Sequence, residues 1–310
     1  MDWIVSLPDR LDAFLASDGR MLSRAKAQKA IEEGHVRVND EVVRKAAHRL
    51  QEGDAVALRD TEDRKQDSVI QPVDLHVPIL YEDEACLVLN KSASIAVHPG
   101  SGMAPGEVTL LSGIAHLYKE RGLPFSTESV LVHRLDKETT GCILVAKTPA
   151  AHLFLQGQFE ERTVKKHYLA LVAGIPKLLT ATVDAPIGRS ISDRTQMTVF
   201  HAGKTRDART TYRVLATGKD AALLECDLHT GRTHQVRVHL HSIGHPVLGD
   251  PSYTSVLSDR LRDEQDIRGL CLHAWKLTFV SPADGREHQV IAGAPQEFTR
   301  SLEKAGVHWN

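Results

Sequence analysis

Between Asp60 and Gln71 the chain runs DTEDRKQDSVIQ, with Val69 and Ile70 as its large apolar side chains. A stretch of this composition cannot bury enough apolar surface to offset the entropy of ordering it. Pro72 and Pro78 follow and break any regular element that tries to cross. The 310 residues therefore divide into a small unit at 8–60, a linker at 61–76 and a large unit at 77–306. Both units fall inside the usual size range of domains.

The small unit reads as two helices followed by short strands. RLDAFLAS has helical spacing, and SRAKAQKAIEEG offers Ser23 as a cap and Gly34 as a stop. HVRVND alternates like a strand and puts Asn39 and Asp40 in turn position, and GDAVALRD supplies a closing strand.

In the large unit PILYEDEACLVLNK predicts two short strands, and EVTLLSGIAHLYKERG a helix that ends at Gly122. SVLVH and CILVAK are apolar runs of strand length on either side of a charged turn. PAAHLFLQGQFEER suits a helix that starts at Pro149. KKHYLALVAG, ARTTYRVLAT, AALLECDL and AWKLTFV predict further strands, and QEFTRSLEKAG a last helix. Strands and helices mix without regular alternation, so the large unit is α+β, and the sequence shows no internal repeat.

Composition excludes more than it assigns. The formal charge is −2, so affinity for a polyanion has to come from a local basic face. Cys86, Cys142, Cys226 and Cys271 lie far apart with no Cys-x-x-Cys pair, which argues against a disulfide framework and a cysteine zinc site and for a reduced, cytoplasmic protein. No window approaches the ~20 apolar residues of a membrane span, and the N-terminus lacks a targeting pattern. Phosphate loops, dinucleotide fingerprints and His-Glu-x-x-His are absent from the sequence. The chemistry has to come from side chains.

Three stretches place reactive or cationic groups in turns between apolar segments, where scaffolded sites usually sit. In HRLDKETTG, Asp136 lies between Arg134 and Lys137, and nearby cations keep a carboxylate ionised. That suits a nucleophile or a structural anion rather than a general acid. In KKHYLALVAG, Tyr168 shares a strand face with Lys166 and Ala170, as a core residue or as a ring that stacks on a base. HTGRTHQVRVHLHSIGHPVLGDPSY packs five histidines and two arginines together. Its periodicity fits strand or helix; Thr230-Gly231 as a start and Gly244 with Pro246 as a stop favour a helix that puts His234, Arg237 and His241 on one face. A metal site there is disfavoured, because the neighbours are basic and the next carboxylate is Asp250.

Taken in order, HRLDKETTG, KKHYLALVAG and TGRTHQVRVHL with GHPVLGDPSY resemble the signature segments of the RluA-type pseudouridine synthases, which isomerise uridine within RNA. DAPIGR, GKTRDARTTYRV and LHAWKLTFVSP are similar to the RluD-like branch, and the likeness spans about residues 79–306. The N-terminal unit resembles the S4 RNA-binding domain. The resemblance implies a mixed, largely antiparallel catalytic sheet of the pseudouridine synthase fold behind an S4-like α/β module. Asp136 is implied to be the catalytic aspartate, Tyr168 to stack on the target base and assist loss of its C5 proton, and Arg237 to pair with Asp136. Arg134 is implied to fill the gap left by a flipped nucleotide. Lys166 and Arg232, and in the module Arg24, Lys26, Lys29, Arg37 and His35, are expected to contact RNA. Ser281 stands where many relatives have histidine.

The implied protein is a monomer that acts on RNA, with large-subunit ribosomal RNA favoured, and needs neither cofactor, metal nor membrane. Attack on C1′, addition to C6 and removal of the C2′ proton all start from the same carboxylate. Two rivals make different demands. A non-catalytic RNA-binding or assembly protein would not need Asp136. A glycoside hydrolase would use Asp136 and Glu138 as an acid pair, which on a strand would sit about 6.6 Å apart, but three tryptophans and cationic surroundings make a poor sugar cleft.

Overall fold

Residues 2–17, 24–58, 70–100, 103–104, 106–200 and 202–309 are described by a computed structural model, without the side chains of Ala25 and Lys26. Ser23 and residues 61–69 of the expected linker lie outside the described residues. The chain separates into two compact units, Met1–Val69 and Ile70–Asn310.

In the first unit the helices Leu11–Ala16 and Arg24–Glu32 pack through Leu11, Phe14, Leu15, Ala27 and Ile31 onto a four-stranded sheet. Helix Arg24–Glu32 gives way to Gly34 at φ +83°, a left-handed position that glycine occupies without penalty. Val36–Val38 and Glu41–Val42 form a hairpin around Asn39 and Asp40, both at positive φ as a two-residue turn between twisted strands requires. The sheet also takes Asp2–Ile4, paired with Ala55–Leu58, so the unit begins ahead of the expected residue 8. Segment 2–4 has no alternating pattern long enough to announce a strand.

The second unit is built on a nine-stranded sheet. From one edge the strands are Thr180–Asp184, Arg209–Thr217, Ala221–Leu228, Lys165–Ala173, Leu272–Val280, Thr140–Ala146, Cys86–Lys91 and Ile79–Glu82, with Glu287–Ile291 paired to the outer half of Leu272–Val280. All pairs are antiparallel except Leu272–Val280 with Thr140–Ala146. A separate three-stranded sheet, Met197–Thr198, Ile187–Ser190 and Ala202–Arg206, escaped the sequence reading because its strands are short and largely polar.

The apolar runs are explained by cover on both faces. Leu87, Leu89, Ile143 and Val145 point to one side and pack under helix Leu110–Glu120. Cys86, Val88, Cys142, Leu144 and Ala146 point to the other and pack under helix Pro149–Glu160. A strand buried on both faces loses its polar alternation. Pro149 opens its helix behind Thr148, whose hydroxyl accepts the Ala151 N–H at 3.1 Å. Helices Gln235–Ser242, Val256–Glu264 and Gln296–Lys304 cover the other half of the sheet through Val236, Leu240, Leu261, Phe298 and Leu302.

Two expectations change. SVLVH is no strand, and keeps one bridge, Leu131 with Val145. His133 accepts the Leu144 N–H at 2.8 Å, so a side chain takes the donor that a ladder would have used. Residues 70–76, expected in the linker, lie against helix Leu110–Glu120: Val73 N–H bonds Ser112 O at 3.1 Å and Leu75 packs at Gly113.

Candidate active site

The charged segment between Leu131 and Thr140 closes with a turn in which Thr139 N–H bonds Asp136 O at 3.1 Å. Leu135 anchors it in the core. Buried Lys91 donates to Ser92 O at 2.8 Å and Lys137 O at 2.7 Å, tying the turn to the neighbouring strand. Burial lowers the Lys91 ammonium to about 8, against the pull of Glu138 and Asp136. On the far side Gly141 runs at φ +109°, and a Cβ there would come within 2.2 Å of Ala274 O. Only glycine allows the parallel pairing of Thr140 and Gly141 with His273 and Ala274. Asp136 is thus fixed at the mouth of the sheet with its side chain 20% exposed.

Because Asp136 and Glu138 sit in a turn, the strand spacing assumed for a glycosidase pair does not apply. Glu138 is instead bonded to Ser94 at 3.1 Å.

Arg237 reaches Asp136 from helix Gln235–Ser242. Its Nε and Nη2 donate to Asp250 at 2.7 and 2.8 Å, and Nη1 to Asp136 Oδ2 at 3.3 Å. Asp250 has a fully buried side chain and also accepts the N–H groups of Ser252 and Tyr253. Burial works against the guanidinium charge, but the hydrogen bonds and charges of the two carboxylates outweigh it and hold its pKa above the ordinary value. The ring of Tyr253 lies 5.0 Å below the guanidinium.

The helix starts at Gln235, later than Thr230-Gly231 suggest. The Gln235 amide folds back onto Thr230, Arg232, Arg209 and Thr210, and His234 caps it in the left-handed region. His234, Arg237 and His241 all turn toward Tyr253, as their shared face predicts. The remaining histidines disperse: His229 meets Thr211, His239 meets Thr210 and Ala185 O, and His245 meets Ala173 O.

Tyr168 enters from strand Lys165–Ala173, where the register against Leu272–Val280 shifts between His167 and Tyr168. Such bulges re-aim side chains beside functional sites. Burial, with the charge of Asp136 second, pushes its phenol well above the ordinary range, so the hydroxyl keeps its proton. Tyr168, Asp136, Arg134, Lys166, Arg232 and His234 line one cavity of about 450 Å³. Arg134 is exposed at its rim. Lys166 is buried, with its ammonium 5.7 Å from the Phe159 ring and in no hydrogen bond or ion pair among the described residues, and burial lowers its pKa.

In the N-terminal unit Arg24, expected to face RNA, donates to Asp12 at 3.1 Å beside Arg10 and Gln28. Asp12 is fully buried, and these donors, Arg10 foremost, hold its carboxyl well below the usual range. Arg37 bonds Asp40 O at 2.8 Å, His35 meets Glu33 at 3.3 Å, and Lys29 is exposed. The Lys26 side chain lies outside the described residues. Sequence reasoning missed Lys91, Asp250 as a ligand of Arg237, and Tyr253, and gave His234 a place on the Arg237 face but no role at Asp136. Only GHPVLGDPSY, quoted as a unit, carried a signal for Asp250 and Tyr253.

Residues 85–242 match the family described as RNA pseudouridylate synthase, and residues 9–56 match the S4 domain. A Bacillus subtilis protein named as an uncharacterized RNA pseudouridine synthase is 39% identical over 95% of this chain and 93% of its own. The ribosomal large subunit pseudouridine synthase D of Nitrosomonas europaea is 41% identical over 89% and 78%. Among solved structures, human RNA pseudouridylate synthase domain containing 1 aligns at a TM-score of 0.59 and 28% identity, covering 75% of this chain and 89% of that one.

Proposed function

The chain belongs to the RNA pseudouridylate synthase family and is an RNA pseudouridine synthase, an isomerase, and from this premise we propose that it acts on uridines of large-subunit ribosomal RNA, in the cytoplasm and as a monomer, with Asp136 opening the N-glycosidic bond. The target is supported by relatives in Zymomonas mobilis and Nitrosomonas europaea named as ribosomal large subunit pseudouridine synthases. The single observation that carries the site assignment is the Arg237 guanidinium, saturated on one side by Asp250 and presenting its remaining N–H to Asp136, in a cavity that also holds Tyr168.

The reaction exchanges the C1′–N1 bond for C1′–C5 and moves one proton from C5 to N1. It balances without oxidant, reductant or energy input. Asp136 initiates cleavage, and Arg237 keeps its carboxylate aimed into the cavity. Tyr168 stacks on the freed uracil, and its protonated hydroxyl serves as a relay for the C5 proton rather than as a base in its own right. A base inside an RNA stack has to be extruded, at a cost of a few kcal/mol. Stacking on Tyr168, at about 1–3 kcal/mol per base, and insertion of Arg134 into the gap offset that cost.

The ammonium of Lys166, with no acceptor among the described residues, and Arg232 at the same cavity wall suit the phosphates flanking the flipped nucleotide. In the module Lys29 is the exposed cation best placed for phosphate; Lys26 keeps the same role by its place in the sequence. Arg24, Arg37 and His35 share theirs with Asp12, Asp40 and Glu33. We assign the RNA-binding module to 8–60 with the strand Asp2–Ile4 added, the connector to 61–76 with 70–76 lying against the catalytic unit, and the catalytic unit to 77–306.

The test is release of tritium from RNA labelled at uridine C5. Wild-type protein releases it; Asp136→Asn abolishes release and still binds RNA. Release by Asp136→Asn at the wild-type rate would remove the assignment. Pseudouridine mapping in cells with and without the protein identifies the target, and unchanged large-subunit RNA would redirect it.

A further inference from the structure

Arg237 engages Oδ2 of Asp136 and leaves Oδ1 free. His234 faces that second oxygen, with Nε2 4.0 Å from Oδ1. The other ring nitrogen, Nδ1, lies 2.9 Å from the Tyr253 hydroxyl, and the same hydroxyl lies 2.9 Å from the backbone nitrogen of Met197. A backbone N–H can only donate, so the phenol oxygen accepts from Met197, and the buried hydroxyl's own hydrogen has His234 Nδ1 as its one acceptor among the described residues. Nδ1 is therefore the acceptor, and the proton of the neutral imidazole sits on Nε2, toward Asp136.

We propose that His234 is a positioning residue for Asp136: Tyr253 locks its imidazole in the Nε2–H tautomer, and that N–H closes onto Oδ1 when the nucleotide fills the cavity. The inference rests on the assignment of Asp136 above. Hydrogen bonds of empty sites are commonly long and tighten in the complex.

Three further observations converge on it. His234 adopts φ 56° and ψ 20°, a left-handed conformation that is uncommon outside glycine and sets the direction in which the ring leaves the helix start. The side chain makes no capping bond to its own helix, so this backbone serves the ring and not the helix end. The ring lies edge-on to Tyr253 at 5.7 Å, which fixes its plane. The groups that face it are Asp136 and Arg134 from the loop before Thr140, Arg237 on its own helix, and Asp250 with Tyr253 beyond that helix. Burial is the largest influence and lowers its pKa; Asp136 opposes this, and the neutral form prevails near neutrality.

This arrangement connects the three-stranded sheet to the site. Met197 begins the strand Met197–Thr198, so its N–H sets the phenol, the phenol sets the tautomer, and the tautomer sets the donor at Asp136.

The experiment combines kinetics with ¹⁵N NMR of histidine-labelled full-length protein. His234→Ala is expected to lower kcat about 10- to 100-fold, the equivalent of one hydrogen bond to a charged group, with KM for RNA held within about twofold. His234→Gln, whose amide N–H reaches the Nε2 position, recovers most of the loss. His234→Asn tolerates the left-handed backbone but falls short of Asp136, and stays low. The NMR spectrum at pH 7.5 shows the Nε2–H tautomer, and Tyr253→Phe turns it into a mixture. Wild-type kcat in His234→Ala, equal recovery by Asn and Gln, or an Nδ1–H tautomer overturns the proposal. If wild-type protein converts no uridine, the reaction assignment fails instead, and the tautomer still decides the arrangement.

Discussion

Arg237 and Asp250 form a bidentate pair at 2.7 and 2.8 Å, with side chains 7% and 0% exposed. The pair orients a guanidinium whose remaining N–H lies 3.3 Å from Asp136. Removing one member of a buried pair leaves the other uncompensated, at about 3–5 kcal/mol. Asp250→Asn should therefore lower stability by about that amount and lower kcat, because Arg237 loses its fixed geometry. Urea unfolding and tritium release measure the two effects. Unchanged stability would show that the guanidinium is held by Asp136 and the Tyr253 ring alone.

Tyr168 tests how the last proton leaves. Its phenol pKa is raised by burial first and by the Asp136 charge second, so no phenolate forms below the usual tyrosine range. The pH–rate profile should show no alkaline limb from this group up to pH 10. Tyr168→Phe keeps the stacking surface and should bind RNA like wild type while C5 proton loss stalls. Tyr168→Ala should also lose about 1–3 kcal/mol of binding. Tritium release by Tyr168→Phe at the wild-type rate would assign the proton to another carrier.

How far the sequence foretold this site depends on the range over which each feature is determined. The strands around Asp136 were legible because Leu87 to Leu89 and Cys142 to Ala146 are apolar on both faces, a local pattern. Asp136, Tyr168 and Arg237 were legible through resemblance, since each sits inside a recognisable segment. What stayed hidden is set by contacts distant in sequence: Tyr253 lies 56 residues from Met197 and 19 from His234. The left-handed turn at His234 has no glycine to announce it. The run 129–133 misled for a related reason, because the His133 side chain takes the Leu144 N–H and the ladder stops.

Acid should destabilise the large unit before its carboxylates titrate. His239 and His273 are fully buried and bonded at both ring nitrogens: Nε2 donates to Ala185 O and Ala292 O, and Nδ1 accepts from Thr210 and Thr140. Burial lowers both pKa values, and it lowers His133 to about 3. Because the folded values lie below the unfolded one, the unfolded chain binds more protons once pH drops under about 6.5, and stability falls with pH from there. Above that point these groups contribute no slope. Each of these rings can add at most about 1.4 kcal/mol per pH unit to that loss. Urea midpoints at pH 7.5, 6.5 and 5.5 measure it, and a flat series would mean that the buried rings accept protons without disturbing their partners.

The N-terminal unit should act on affinity and not on chemistry. Asp136, Arg237, Tyr168 and the residues that line the cavity all belong to the unit Ile70–Asn310, so every group assigned to the chemistry lies outside the S4 domain. Lys29 lies exposed on the helix Arg24–Glu32, whereas Arg24 is committed to Asp12. Few free cations among the described residues of this unit predict few phosphate contacts, and each released counterion adds about 0.7–0.9 to the slope of log K against log salt. Deleting residues 1–69 should weaken RNA binding and flatten its salt dependence by about one to three such contacts, with single-turnover conversion at saturating RNA within about twofold of wild type. Binding titrations from 50 to 300 mM salt measure the slope. An unchanged slope and affinity would reduce the S4 domain to a structural appendage, and a collapse of the single-turnover rate would place part of the chemistry's support in it.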